Sequence, residues 1–326
     1  MMNNIVFKNN GAISCLNKGA LIMLCLIAGL HVHAKGEVPA HPLVSGGDDA
    51  SKNLLTQRWS LVEMLSDEFE GDELSQIWDT RNIIPGKFMW NGRYPGLFQK
   101  KNVSVVDGEL WMEGKREDVV FEGRTWTHTG AILRSHALIQ PGMYTEAKMK
   151  TTTTIMSGTF WMQTPHDSNC EKVPKTELDV TESIGRASSN TKPPPKGESV
   201  PKWYEKTRAR FLQGINATAR QRYDSCTEKA INIETPIELS GTFSPSEDFH
   251  IYGFHWRTPT QLDFYVDGKF NHTIVPSIAF ENPMALILAI EIYDFNWPTE
   301  PEKDGFMASK KDRSTRYQWI RTWKAE

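Results

Sequence analysis

The decapeptide Lys175-Thr-Glu-Leu-Asp-Val-Thr-Glu-Ser-Ile184 constrains the fold of this chain more than any other stretch. Three carboxylates, Glu177, Asp179 and Glu182, are interleaved with Leu178 and Val180 in a segment of strand character. Side chains on a regular strand alternate faces, so Glu177 and Asp179 share one side and Glu182 falls on the other. One extra residue, a β-bulge, returns Glu182 to the face of the other two. Three acids on one face of a sheet must be solvated or paired. The segment therefore predicts a bulged strand whose acidic face lines a cleft. The plainer alternative is a solvated strand edge, and the rest of the chain has to decide.

The first 34 residues read as an export signal. Lys8 and Lys18 supply its positive charge, Ala20 to Leu30 its apolar run, and Val32-His33-Ala34 a cleavage site. The run is short for a membrane span. A lipid on Cys25 is disfavoured by the Met23-Leu24 that precedes it, so a secreted or periplasmic protein is expected, with a retained N-terminal anchor as the alternative. Loss of Lys8 and Lys18 leaves 35 basic against 40 acidic residues, a net of −5. Cys170 and Cys226 then remain, either as one bridge closing a loop around the three acids or as two unrelated thiols. Residues 35–53 are polar and contain Gly and Pro, and read as a flexible lead-in. Residues 54–326 read as a single domain, with the Pro193-Pro194-Pro195 stretch a loop upon it rather than a boundary.

Most of that domain reads as strands. Met143 to Lys150 and Gly158 to Gln163 precede the acidic segment. Phe249 to Trp256 is rich in aromatics, as strands prefer. Gln261 to Val266 and Lys269 to Ile274 flank Asp267-Gly268, a hairpin turn signal. Met284 to Tyr293 is a long apolar run suited to a buried central strand, and Tyr317 to Lys324 supplies a closing one. Helical periodicity is weak outside Lys202 to Phe211. Many strands separated by turns predict an antiparallel sandwich of the jelly-roll kind.

Eleven tryptophans exceed what one core needs. Aromatic faces suit the C–H faces of pyranose rings, although most tryptophans in any fold simply pack. Trp161, on the strand before the acidic one, is placed to share its cleft, and Trp90 lies in a Gly- and Pro-containing loop segment. Paired carboxyls beside such aromatics fit sugar-bond cleavage. Retaining glycosidases hold two carboxyls about 5–5.5 Å apart, one as nucleophile and one as acid/base.

With the acidic strand, Phe160-Trp161-Met162 and the sandwich pattern together, the chain resembles glycoside hydrolase family 16, in its galactan-cleaving branch of agarases, porphyranases and carrageenases. Thr129 to Ser135, Gly142 to Lys150, Phe264 to Lys269, Pro283 to Glu291 with Asp294 and Trp297, and Trp319 to Lys324 carry the likeness over most of the chain. The resemblance implies an all-β jelly-roll sandwich of two curved antiparallel sheets with a substrate cleft on the concave face. It implies Glu177 as nucleophile, Glu182 as acid/base and Asp179 as the residue that orients them. Trp90 and Glu291 match sugar-contacting positions. Arg93 and Arg134 are further binding candidates, and Arg134 reads equally as a structural ion-pair partner. No cofactor or catalytic metal is required. Relatives often carry a structural calcium away from the cleft, so the resemblance leaves room for such an ion, although no distinct loop here demands one.

Residues 186–229 hold ten basic side chains against four acids. Such a segment on an acidic chain suggests an anionic polymer, because arginine forks suit sulfate as they suit phosphate. Its alternative is a solvated loop and helix face. Several agarases place a histidine where Gly214-Ile-Asn-Ala-Thr218 stands, and this chain offers Asn216, Thr218 and Arg220 instead, which points away from plain agarose. The expectation is a secreted, monomeric, retaining endo-hydrolase of a sulfated red-algal galactan. Its alternatives are a laminarin-cleaving β-1,3-glucanase or a non-catalytic carbohydrate binder. The negative charge and the lack of a nucleic-acid module exclude nucleic acid as a partner, and no membrane contact is expected once the signal is removed.

Overall fold

The computed structural model describes residues 37–80, 90–165, 175–189, 203–213, 218–223, 231–236, 243–277 and 279–326. In chain order these form α1 (Asp49–Thr56), β1 (Trp59–Leu61), β2 (Trp78–Asp79), β3 (Gly96–Phe98), β4 (Val103–Val106), β5 (Glu109–Glu113), β6 (Lys115–Phe121), β7 (Arg124–Ile139), β8 (Met143–Lys150), β9 (Ser157–Gln163), β10 (Lys175–Ile184), α2 (Trp203–Phe211), β11 (Thr218–Tyr223), β12 (Ile231–Pro236), β13 (His250–Thr258), β14 (Gln261–Val266), β15 (Lys269–Ile274), β16 (Met284–Glu291) and β17 (Ser314–Ala325).

The strands make two facing sheets, the jelly-roll sandwich that the turn-separated pattern predicts. One runs β12-β11-β10-β9-β16-β7-β2, with β3 and β6 attached to β7. The other runs β15-β14-β13-β8-β17-β5-β4, with β1 on β17. Pairing is antiparallel except for β3 against β7. Asp267 and Gly268, both at positive φ, close the β14–β15 hairpin as their dipeptide predicts.

Between the sheets lies the main core. Phe160 and Met162 of β9, Leu178 and Val180 of β10, and Leu286, Leu288 and Ile290 of β16 point into it. They meet Ala147 and Met149 of β8, Phe254 and Trp256 of β13, and Ile320 of β17. All eight residues of β16 are buried, because it is a central strand covered on both faces. Its apolar run has no alternation for that reason.

Within residues 35–53, expected to be a flexible lead-in, contacts with the second sheet begin at Pro39. The Trp323 indole donates to the Pro39 carbonyl at 3.1 Å, and the Ser45 amide donates to the Gly268 carbonyl at 2.6 Å. Asp48 caps α1 by accepting from the Ser51 amide at 2.8 Å. Leu54 of α1 then packs on Trp59, Tyr144, Tyr265 and Trp323, over the outer face of the second sheet. Aromatic surface left on that face needs a cover, and this segment supplies it. The proposed signal residues 1–34, Cys170, Cys226 and the triple proline lie outside the described residues. No described helix is long and apolar enough to cross a membrane.

Candidate active site

The acidic strand carries the bulge its spacing requires. Glu177 stands opposite Gln163 of β9, Leu178 opposite Met162 and Asp179 opposite Trp161. The register then skips Val180, so that Thr181 faces Phe160 and Glu182 faces Thr159. Val180 joins the core with Leu178, and Glu177, Asp179 and Glu182 all turn to the opposite face. There they line one pocket with Thr159, Trp161 and Glu291 on its floor and Trp90, Arg93 and Tyr293 at its wall.

Apolar side chains make the floor firm. Trp161, Ile287, Ala289, Ile132 and Phe98 form a compact cluster on the cleft side of the sheet, and Trp90 packs against it. The Trp90 and Trp161 rings are 5.7 Å apart and tilted, and Trp90 meets Phe98 edge-on at 5.4 Å. Two tilted indoles beside carboxylates present an apolar corner next to hydrogen-bonding groups, the mixture that a sugar ring needs.

Each acid is held differently. Gln163 Nε2 donates to Glu177 Oε2 at 2.8 Å. Tyr293 Oη donates to Glu182 Oε1 at 2.5 Å. Tyr293 is itself gripped: its ring stacks on Phe295 at 4.9 Å and meets Phe211 of α2 edge-on at 5.5 Å. The Arg93 guanidinium lies 5.1 Å from the Tyr293 ring centre. Burial and the neighbouring Glu182 raise the Tyr293 phenol well above its usual pKa, so it stays a donor.

Glu291 is a fourth carboxyl in the pocket. Burial pushes its pKa up to about 7 against the pull of Arg93, and the nearby Glu182 and Glu177 push it the same way. Arg93 Nη2 lies 3.5 Å from Glu291 Oε2. That carboxylate holds the guanidinium firmly charged. Arg93 remains partly exposed in the cleft, with 38 % of its side chain open to solvent.

Seven of the eight residues singled out from the sequence thus meet in one pocket. Arg134 does not line it. Its side chain is buried, with Nη2 3.7 Å from Asp79 Oδ2 on β2, the arrangement of a structural ion pair. The basic segment is described only in part: Arg186 Nη1 donates to the Lys303 carbonyl at 3.0 Å and Arg208 Nε to the Phe295 carbonyl at 2.5 Å. Asn216 and the side chains of Thr218 and Arg220 lie outside the described residues. Gln163 and Tyr293 were not anticipated. Strand alternation from Trp161 would have found Gln163, whereas Tyr293 lies beyond β16, where alternation no longer applies. Among the described residues no group of three His, Cys, Asp or Glu side chains is arranged to hold a metal ion.

Comparison with known proteins agrees with this geometry. The family model described as "Beta-porphyranase A-D, GH16 domain" matches residues 59–325. Beta-porphyranase B of Zobellia galactanivorans is 33 % identical over 272 residues, covering 82 % of this chain and 85 % of that protein. Beta-porphyranase C of the same organism is 29 % identical over 292 residues, covering 83 % of this chain and 79 % of that protein. The crystal structure of porphyranase B from Z. galactanivorans superposes with a TM-score of 0.70 at 30 % identity, covering 87 % of this chain and 99 % of that one. With a matching fold, an acidic bulged strand and a family match over most of its length, the chain belongs to glycoside hydrolase family 16, in the β-porphyranase A–D group, and is a glycoside hydrolase acting on O-glycosyl bonds.

Proposed function

We propose that the protein is a secreted, retaining endo-hydrolase that cleaves internal β-galactosidic bonds of a sulfated, porphyran-type galactan. The observation that carries this reading is the skipped Val180, which turns Glu177, Asp179 and Glu182 together into an aromatic-floored cleft. The porphyranase names of its relatives support the substrate class. Arg93 supports an anionic substrate, being a cation in the cleft that is still partly open to solvent. The apolar run after Lys18 supports secretion.

In this reading Glu177 attacks the anomeric carbon, and the Gln163 amide fixes the direction of its lone pairs. Glu182 first gives a proton to the departing glycosidic oxygen, and later takes one from the water that releases the glycosyl-enzyme. A phenol donating to Glu182 Oε1 directs the carboxyl's own proton to Oε2. Asp179, between the two on the same face, keeps them in order. Trp90 and Trp161 stack on the sugar, and Arg93 with Glu291 presents a fixed polar pair to its substituents.

The test is incubation of the purified mature protein with porphyran, agarose, furcellaran, κ-carrageenan and laminarin, followed by oligosaccharide analysis. New oligosaccharides from porphyran, released first as β-anomers, are expected. Initial inversion would exclude a nucleophilic Glu177, and cleavage of laminarin alone would move the enzyme to the glucanases. Absence of products from every polymer would overturn the proposed activity.

A further inference from the structure

Beyond the pocket wall, three aromatic rings gather at the surface. Tyr94 directly follows Arg93 in the chain, and Trp297 follows the short turn after Tyr293. Trp126 stands on the hairpin of β6 and β7. The Tyr94 ring is 5.5 Å from Trp126 and 5.9 Å from Trp297. None of the three belongs to a buried apolar cluster, and all remain partly open to solvent. Arg124, exposed, lays its guanidinium over the Tyr94 ring at 3.2 Å and within 5.9 Å of Trp126. Among the described residues it has no carboxylate partner. Arg116, also exposed, pairs with His128 across the same hairpin.

A merely structural clamp would bury its rings and neutralise its arginine. Here the rings stay open and the guanidinium keeps its outward donors. The patch is also continuous with the cleft through two backbone steps, Arg93 to Tyr94 and Tyr293 to Trp297. We propose that Tyr94, Trp126, Trp297 and Arg124 form a distal platform for the galactan chain as it leaves the cleft, with the rings stacking on a pyranose and Arg124 binding an anionic ester group. This inference rests on the galactan-hydrolase reading and adds to it a binding region remote from the acids.

The experiment compares wild type, Arg124→Gln, Arg124→Lys and Trp126→Ala on porphyran, on its desulfated form and on the shortest porphyran oligosaccharide that wild type cleaves. On intact porphyran Arg124→Gln is expected to lower kcat/KM about tenfold, the worth of one charge-assisted contact. That loss should shrink on the desulfated polymer and on the shortest oligosaccharide, and Arg124→Lys should restore part of it. Trp126→Ala should weaken both polymers alike. Should Trp126→Ala fail to fold, Arg124→Gln still decides, since it alters only an exposed side chain. Equal losses on polymer and oligosaccharide, or no loss on porphyran, would overturn the platform while leaving the hydrolase reading intact. Wild type that cleaves no galactan would overturn both.

Discussion

Tyr293 Oη donates a 2.5 Å hydrogen bond to Glu182 Oε1, from a ring clamped between Phe295 and Phe211. Tyr293 therefore acts as a positioning residue for the proposed proton donor. Tyr293→Phe keeps the ring and removes only that bond. A hydrogen bond to a charged group contributes about 1.5–3 kcal/mol, so kcat should fall roughly tenfold to a hundredfold with KM little changed. A large rise in KM at constant kcat would assign the tyrosine to substrate binding instead.

Glu177→Gln and Glu182→Gln should each abolish turnover without lowering the melting temperature by more than a few degrees. Both side chains face the cleft rather than the core, so the loss is chemical. Full activity in either variant on the true substrate would contradict the double-displacement assignment.

Trp90→Ala removes one wall of the indole corner and leaves the carboxyls untouched. Loss of one stacking surface is expected to raise KM about tenfold, with a smaller effect on kcat. Unchanged steady-state constants would remove Trp90 from the binding surface.

Leu288→Ala probes the central strand. Leu288 is fully buried between the sheets, so a cavity is expected to cost about 2–5 kcal/mol in a denaturant titration. A smaller loss would show that β16 can collapse around the gap.

Glu146 predicts a pH dependence of stability. It is fully buried on the outer face of the second sheet, and burial pushes its pKa from 4.5 to about 8. The Tyr144 hydroxyl, Arg321 and the Leu43 amide offset this only in part, Arg321 being already engaged by Glu68 at 2.7 and 3.0 Å. A folded pKa above the unfolded one contributes stability that is complete below pH 4.5 and is lost as pH rises through 8. Wild type should therefore lose on the order of a few kcal/mol relative to Glu146→Gln across that interval. Parallel stability curves for the two proteins would disprove the shift.

Strands were legible wherever composition and turn chemistry agreed. β8, β14 and β15 have the bounds that their alternation and the Asp267-Gly268 turn predict. The bulge was legible from the acid spacing only together with the strands and tryptophans around it, because three acids share one cleft only if an extra residue turns Glu182 to the side of the other two. Helix α1 was not legible: eight mostly polar residues with one buried leucine are too few to announce a helix, and packing on Trp59 and Trp323 supplies the reason for it. Arg134 read in sequence either as a binding residue or as a structural ion-pair partner, and the pairing of β2 with β7, which sets Asp79 beside it, accounts for the second. Tyr293 depends on aromatic contacts from α2 and the turn after β16, which no local pattern reports.

Between Glu177 and Ile184, Val180 is the one residue that the pairing with β9 skips. Deleting its codon leaves Glu-Leu-Asp-Thr-Glu, a stretch in which plain alternation already sends all three acids the same way. Thr181 would keep its place opposite Phe160, and Glu182 its place opposite Thr159. The bulged and straight versions of this strand are therefore separated by a single in-frame deletion, at the cost of one valine's packing. Adding a residue between Asp179 and Glu182 also gives an even spacing, but regular pairing would then carry Glu182 from its place opposite Thr159 to one opposite Ser157. Shortening by one keeps the acids both in line and in place, whereas lengthening by one keeps them in line but slides Glu182 two residues along β9, so only the shorter strand preserves the site.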